Sequence, residues 1–120
     1  MSAEPNCPLC PDNKLLEVPI TAQNDAAYLI PARGSDTNYL IIPKEHIEDP
    51  AKLADDWWQD LKPLLDKVPG RGENYNISLN IGQVAGQRVP HLHFWIIPRQ
   101  SDTPSSGKGL AILITEKDQG

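Results

Sequence analysis

The sequence predicts an α+β fold in which a five-stranded antiparallel sheet carries one main helix. Two short apolar runs bounded by turn residues, one stretch of strict two-residue alternation, and one long amphipathic segment support this expectation. At 120 residues, with 39% hydrophobic and 22% charged side chains, the chain is read as a single domain over 1–120 with enough apolar material for one core.

Residues 1–14 are polar and hold both cysteines, in Cys7-Pro8-Leu9-Cys10, and read as a knuckle-like loop. Leu15 to Ile20 suits a short strand or a single helical turn. Ala26 to Ile30 and Tyr39 to Ile42 read as buried strands. Pro31, Gly34, Ser35, Asp36 and Pro43 bound them, and no helical pattern lies between, so they are expected to pair antiparallel. From Asp49, an N-cap residue followed by proline, Leu53, Trp57, Leu61, Leu64, Leu65 and Val68 recur at helical spacing. The predicted helix ends before Pro69-Gly70, and Pro63 inside it should kink it or shift its start. Trp58 borders the apolar stripe. Tyr75 to Ile81 alternates, with Tyr75, Ile77, Leu79 and Ile81 expected inward and Asn76, Ser78 and Asn80 on a polar, uncharged face. A glycine-containing connection, 82–89, leads to a predicted strand over 91–97. Residues 101–109 read as a flexible loop of small residues, and Leu110 to Thr115 as a last strand.

The formal charge of -5 argues against a duplex nucleic-acid binder, although not against a single nucleotide as ligand. No apolar run approaches a membrane span, and the polar start does not read as a signal peptide, so the cytoplasm is the expected compartment. In a reducing compartment Cys7 and Cys10 suit a metal half-site better than a redox pair. A thioredoxin-like pair would follow a strand and open a helix, whereas Pro11 follows here.

Two of the three histidines stand one residue apart, in His91-Leu92-His93. On a strand, such residues share a face and converge on one site, with Trp95 next in line. A cupin-like metal pair would want a nearby carboxylate, and the next acid is Asp102. Satisfied core histidines are the bland reading. A third reading is an imidazole nucleophile on phosphorus, with glycine-rich backbone from Gly82 to Gly86 free to approach a phosphate.

The segment Asn80 to Arg99, with Gly86-Gln87 before His91-Leu92-His93, resembles the signature of the histidine triad (HIT) superfamily. Tyr39-Leu40-Ile41-Ile42-Pro43-Lys44-Glu45-His46 resembles its upstream block. The resemblance implies a HIT-like fold, a homodimer, and a purine nucleotide or nucleotide conjugate as ligand. It further implies a hydrolase or nucleotidyl transferase that cleaves at an α-phosphate through a nucleotidyl-histidine intermediate. His93 matches the nucleophile, and His91 the histidine that orients it. Asn80, Gly86, Gln87, Arg88 and Trp95 fall at nucleotide- or phosphate-contacting positions. In members that begin with C-x-x-C, a structural zinc joins the cysteines to two histidines, which here would be Cys7, Cys10, His46 and His91. Three positions depart from the pattern: Trp95 stands at the third triad position, Arg88 where a serine or threonine is usual, and Ile30 near the ribose-binding aspartate. These departures sustain a second reading, a zinc-stabilised nucleotide-binding protein without turnover.

Overall fold

The structure, a computed structural model, describes residues 4–104 and 106–109; the strand expected over 110–115 lies outside them. Five strands form one antiparallel sheet: β1 (Ala22–Gln23), β2 (Ala27–Pro31), β3 (Tyr39–Pro43), β4 (Tyr75–Ser78) and β5 (Phe94–Pro98), in the order β1-β2-β3-β5-β4. The single α-helix among the described residues, α1, spans Trp57–Leu65.

The apolar runs of β2 and β3 are continuous because both faces of the sheet are covered. Ala27, Leu29 and Ile41 face a cluster that includes Leu61, Leu64 and Leu65 of α1, with Val68, Leu92, Phe94 and Ile96. Tyr28, Ile30 and Ile42 face a second cluster made with Cys7, Leu9 and Cys10, to which Leu16, Val18, Leu40 and Val89 add. The amino-terminal loop thus does for one face what α1 does for the other. Tyr28, fully buried, donates its hydroxyl to the Leu9 carbonyl and ties that loop to β2. Burial raises its pKa well above the tyrosine range, and the neighbouring Cys7 and Cys10 add to the rise.

Several expectations are corrected. Leu15 to Ile20 forms neither strand nor helix; Leu15 and Ile20 are exposed while Leu16 and Val18 pack inward from irregular backbone. The predicted helix from Asp49 divides. Asp49 caps a single 3-10 turn, Pro50–Lys52, by accepting from the Ala51 N–H, and Leu53 is then extended at φ -73 and ψ 154. Leu53 still packs against the helix-side core, so its spacing from Trp57 records a shared core-facing side and not a continuous helix. Pro63 lies inside α1, where it removes one backbone bond. β4 stops at Ser78, and on this edge strand Ile77 is exposed instead of inward. β5 begins at Phe94, which leaves His91, at a bend, and His93 in the irregular segment that leads into it.

Leu92 is fully buried in the helix-side core, and its N–H donates to the Ile47 carbonyl at 2.6 Å. Replacing it with alanine is expected to cost about 2–5 kcal/mol, the range for truncating a core leucine. Chemical denaturation of the two proteins checks this, and a loss below about 1 kcal/mol would show that the site tolerates a void.

Candidate active site and metal centre

Alternation through the entry to β5 sends Leu92, Phe94 and Ile96 to the helix side, and His91, His93 and Trp95 to the side of the cysteine loop. The two imidazoles lie on one side of the sheet but do not converge on one cluster, and they are used differently. His91 is fully buried. Its Nδ1 lies 3.5 Å from Cys7 Sγ and 3.6 Å from Cys10 Sγ, and its Nε2 is 2.7 Å from the Pro43 carbonyl oxygen. The carbonyl only accepts, so Nε2 carries the proton and Nδ1 presents a lone pair to the sulfurs. Burial lowers the pKa of His91 to about 4. The Pro43 bond opposes this shift, while His46 and His93 add to it.

His46 completes the group. Its Nδ1 is 3.3 Å from Cys10 Sγ, its ring meets that of His91 edge-on at 5.0 Å, and its Nε2 is 3.7 Å from a Glu48 carboxylate oxygen. One donor atom from each of Cys7, Cys10, His46 and His91 lies within 4.8 Å of the others, so the group could hold a metal ion. The donor set fits a tetrahedral centre. With metal–sulfur and metal–nitrogen bonds of zinc length, the sulfur–nitrogen edge of the tetrahedron is about 3.6 Å, close to the three separations above. Both cysteines are unbridged thiols, and burial raises the pKa of Cys10. Asn13 holds the loop in shape by donating to the carbonyls of Glu4 and Cys7.

His93 is half-buried and stands outside this cluster. Its Nδ1 lies 2.7 Å from the His91 carbonyl oxygen. Nδ1 therefore bears the proton, and the Nε2 lone pair is without a hydrogen-bond partner among the described residues. Trp95 follows on the same side, its ring centroid 6.4 Å from that of His93. Its Nε1 is buried and has no acceptor among the described residues, a condition that costs about 1–3 kcal/mol. Across the sheet Trp95 pairs with Leu40 and Ser78. Continuing the β4–β5 register brings Asn80 opposite His93.

The connection 82–89 is more internally bonded than its glycines suggested. The N–H groups of Ala85, Gly86 and Gln87 all turn back to the carbonyls of Gly82 or Gln83. Gly86 is favoured by its φ of 97°, in the left-handed region, while a Cβ there would make only ordinary contact with Asn80 Nδ2 at 3.6 Å. Gln87, expected at the phosphate, is buried. It accepts from the Gly82 N–H at 2.7 Å and donates to the Glu48 carbonyl at 3.1 Å, so its side chain fixes the loop. Arg88 is exposed.

An apolar cavity of about 360 Å³ opens on the same side of the sheet, walled by Leu9, Leu16, Val18, Ile30, Leu40 and Val89. Leu40 is the register partner of Trp95 and Val89 precedes His91 by two residues, so the cavity borders the histidine segment. Glu17 and Arg33 also line it, joined by an ion pair of 2.8 Å. A larger cavity of about 430 Å³ beside β4, with Arg99 and Lys108 in its wall, has neither histidine nor cysteine and is set apart from this site. Sequence reasoning missed Pro43, Glu48 and Tyr28. Two of these act through backbone carbonyls or at the edge of the cluster, which no residue type announces.

The HIT domain pattern matches residues 24–102. An adenosine 5'-monophosphoramidase of Schizosaccharomyces pombe is 40% identical over 85 residues, which cover 69% of this chain and 64% of that protein. One from Candida albicans is 30% identical, with 71% and 62% covered. The chain thus spans less than two thirds of the length of these relatives. A HIT family hydrolase from Clostridium thermocellum superposes with a TM-score of 0.66 at 27% identity, over 85% of this chain and 97% of that one. The five-stranded sheet, the His91–His93 segment and these matches agree, and the chain belongs to the HIT domain family.

Proposed function

We propose that the chain is a nucleotide hydrolase or nucleotidyl transferase in which His93 Nε2 attacks the α-phosphorus of a purine nucleotide or nucleotide conjugate. The observation that carries this reading is the 2.7 Å bond from His93 Nδ1 to the His91 carbonyl. It fixes the tautomer with the lone pair on the outer nitrogen, and it offers an acceptor dipole to the ring as attack makes it cationic. The nucleotidyl group passes to Nε2 as the bond from the α-phosphorus to the leaving group breaks, the leaving group keeping the electron pair, and water then hydrolyses the nucleotidyl-histidine and releases Nε2. Arg88, exposed beside the loop, balances phosphate charge, and Asn80, just beyond the end of β4 and beside Gly86, contacts the ligand next to His93. Gly86 and Gln87 act by shaping the loop. The base and ribose lie in the apolar cavity bordered by Leu40 and Val89, whose volume is within the range of small-molecule sites. The names of the yeast relatives support this chemistry. The same reading takes the protein as a single-domain homodimer in the cytoplasm, where free thiols persist. Exposed Trp58 and Ile77 suit the dimer, and no helix among the described residues is long and apolar enough to cross a membrane.

Incubation with diadenosine tetraphosphate or a nucleoside phosphoramidate, each labelled in the nucleotide, should give an acid-labile adduct on the protein. His93→Ala should abolish both adduct and turnover. Binding of nucleotide with neither adduct nor turnover would overturn the enzyme reading. It would favour the second reading, a nucleotide-binding protein, to which Trp95 at the third triad position lends support.

The metal in this reading is a structural zinc on Cys7, Cys10, His46 and His91, which closes the cysteine loop into a knuckle. When bound it supplies a fixed crosslink between the amino-terminal loop and the histidine segment, and takes no part in the chemistry at His93. One zinc per chain is expected from elemental analysis. A strong chelator should lower the melting midpoint by about 10 °C or more, since the loss of each kcal/mol shifts a domain of this size by about 4 °C. Absence of stoichiometric metal, or an unchanged midpoint after its removal, would overturn the zinc assignment.

A further inference from the structure

The three histidines leave the proposed site with a single usable imidazole. His46 and His91 both aim Nδ1 at cysteine sulfur, and Glu48 and the Pro43 carbonyl face their Nε2 atoms. His93 is the nucleophile in the reading above, on which this inference rests. Trp95 stands two residues on, its ring 6.4 Å from that of His93. An indole N–H donates a hydrogen bond but does not give up its proton near neutral pH. This N–H is buried without an acceptor among the described residues, so a purely packing role for the ring leaves it unexplained.

We propose that Trp95 sets the leaving group of the reaction. The site cleaves nucleotide anhydrides, in which the α-phosphorus is joined to an oxygen that departs as a stable carboxylate or phosphate anion, and it discriminates against P–N bonds to amines. In the first step His93 Nε2 forms a bond to phosphorus and the P–O bond breaks. The departing oxygen keeps the electron pair and needs no proton. The indole N–H, turned toward the phosphate as substrate seats, meets that oxygen as its acceptor. In the second step water adds to phosphorus and loses a proton to solvent, and the P–N bond returns its pair to Nε2. An amine cannot leave in this way, because its nitrogen must first be protonated, and neither Trp95 nor the two cluster histidines can do this. Solvent becomes the proton source, and P–N cleavage becomes dependent on acid.

Three substrates sharing an adenosine 5'-phosphoryl group separate the cases: acetyl adenylate, diadenosine tetraphosphate and an N-alkyl phosphoramidate. Wild-type kcat/KM should be at least about 100-fold higher for both anhydrides, with the phosphoramidate rate alone rising about tenfold per unit fall in pH. Trp95→Phe keeps the ring and loses the donor, and should slow anhydride cleavage by about 10- to 100-fold. Trp95→His should raise phosphoramidate turnover by about 100-fold or more. Equal wild-type rates for anhydride and phosphoramidate, or anhydride rates unchanged in a folded Trp95→Phe protein, would overturn the inference. The wild-type ratio and pH profile decide it even where a variant fails to fold. If all three substrates label His93 without preference, only the leaving-group inference fails; if none labels it, the nucleophile reading fails with it.

Discussion

The His91 imidazole is the element on which the site depends. It is fully buried, and each of its polar atoms holds a different part of the molecule. Nδ1 meets the sulfurs of the amino-terminal loop, Nε2–H meets the last carbonyl of β3, and the backbone carbonyl fixes the His93 ring. A buried imidazole without partners would be costly, because each polar atom would forfeit its water without compensation. Here every one is satisfied, and satisfying them forces loop, sheet and the His93 ring into one geometry. The orientation of His93 is therefore a property of the cysteine loop as much as of its own segment.

That dependence has a reason in the size of the domain. A sheet with two apolar faces needs two covers, and the only α-helix among the described residues has nine residues and serves one face. The other face is closed by irregular chain in which Cys7, Leu9, Cys10, Leu16 and Val18 supply the apolar surface. Irregular chain carries little stabilising secondary structure and loses much conformational entropy on ordering. Asn13 and the Tyr28 hydroxyl satisfy some of its backbone, and the four-donor cluster gives a point at which one metal ion could crosslink it to the sheet.

Much of this was legible in the residues. Ala26 to Ile30 and Tyr39 to Ile42 announced buried strands because short runs apolar on both faces suit a sheet covered on both sides, and His91 and His93 shared a face because alternation is geometric. The limits of the helix were not legible. Leu53 keeps helical spacing with Trp57 while its backbone is extended, since burial rewards where a side chain ends and not how its backbone arrives there. Ile77 follows a clean alternation and is nevertheless exposed, because the pattern does not tell an edge strand from a central one. Gln87 was legible as part of the loop, but its side-chain partners, the Gly82 N–H and the Glu48 carbonyl, are backbone groups and leave no trace in sequence.

Under the proposed reading the apolar cavity bears on specificity. Ile30, which the resemblance places near the family's ribose-binding aspartate, is buried in its wall with Leu40 and Val89. A site that rejects a wrong nucleoside strongly does so by leaving buried polar groups unpaired when the wrong partner enters. Ile30, Leu40, Val89, Leu16 and Val18 offer no polar side chain to strand, and the Glu17–Arg33 ion pair that also lines the cavity is exposed to water. Under the proposed reading, the cavity holds a nucleoside by area and excluded water, which rank ligands by size and apolar surface more than by hydroxyl pattern. Discrimination then moves to the phosphate end, where His93, Arg88 and Trp95 meet the reacting bond. A site built in this way is tolerant of the nucleoside and selective for what is attached to its phosphate.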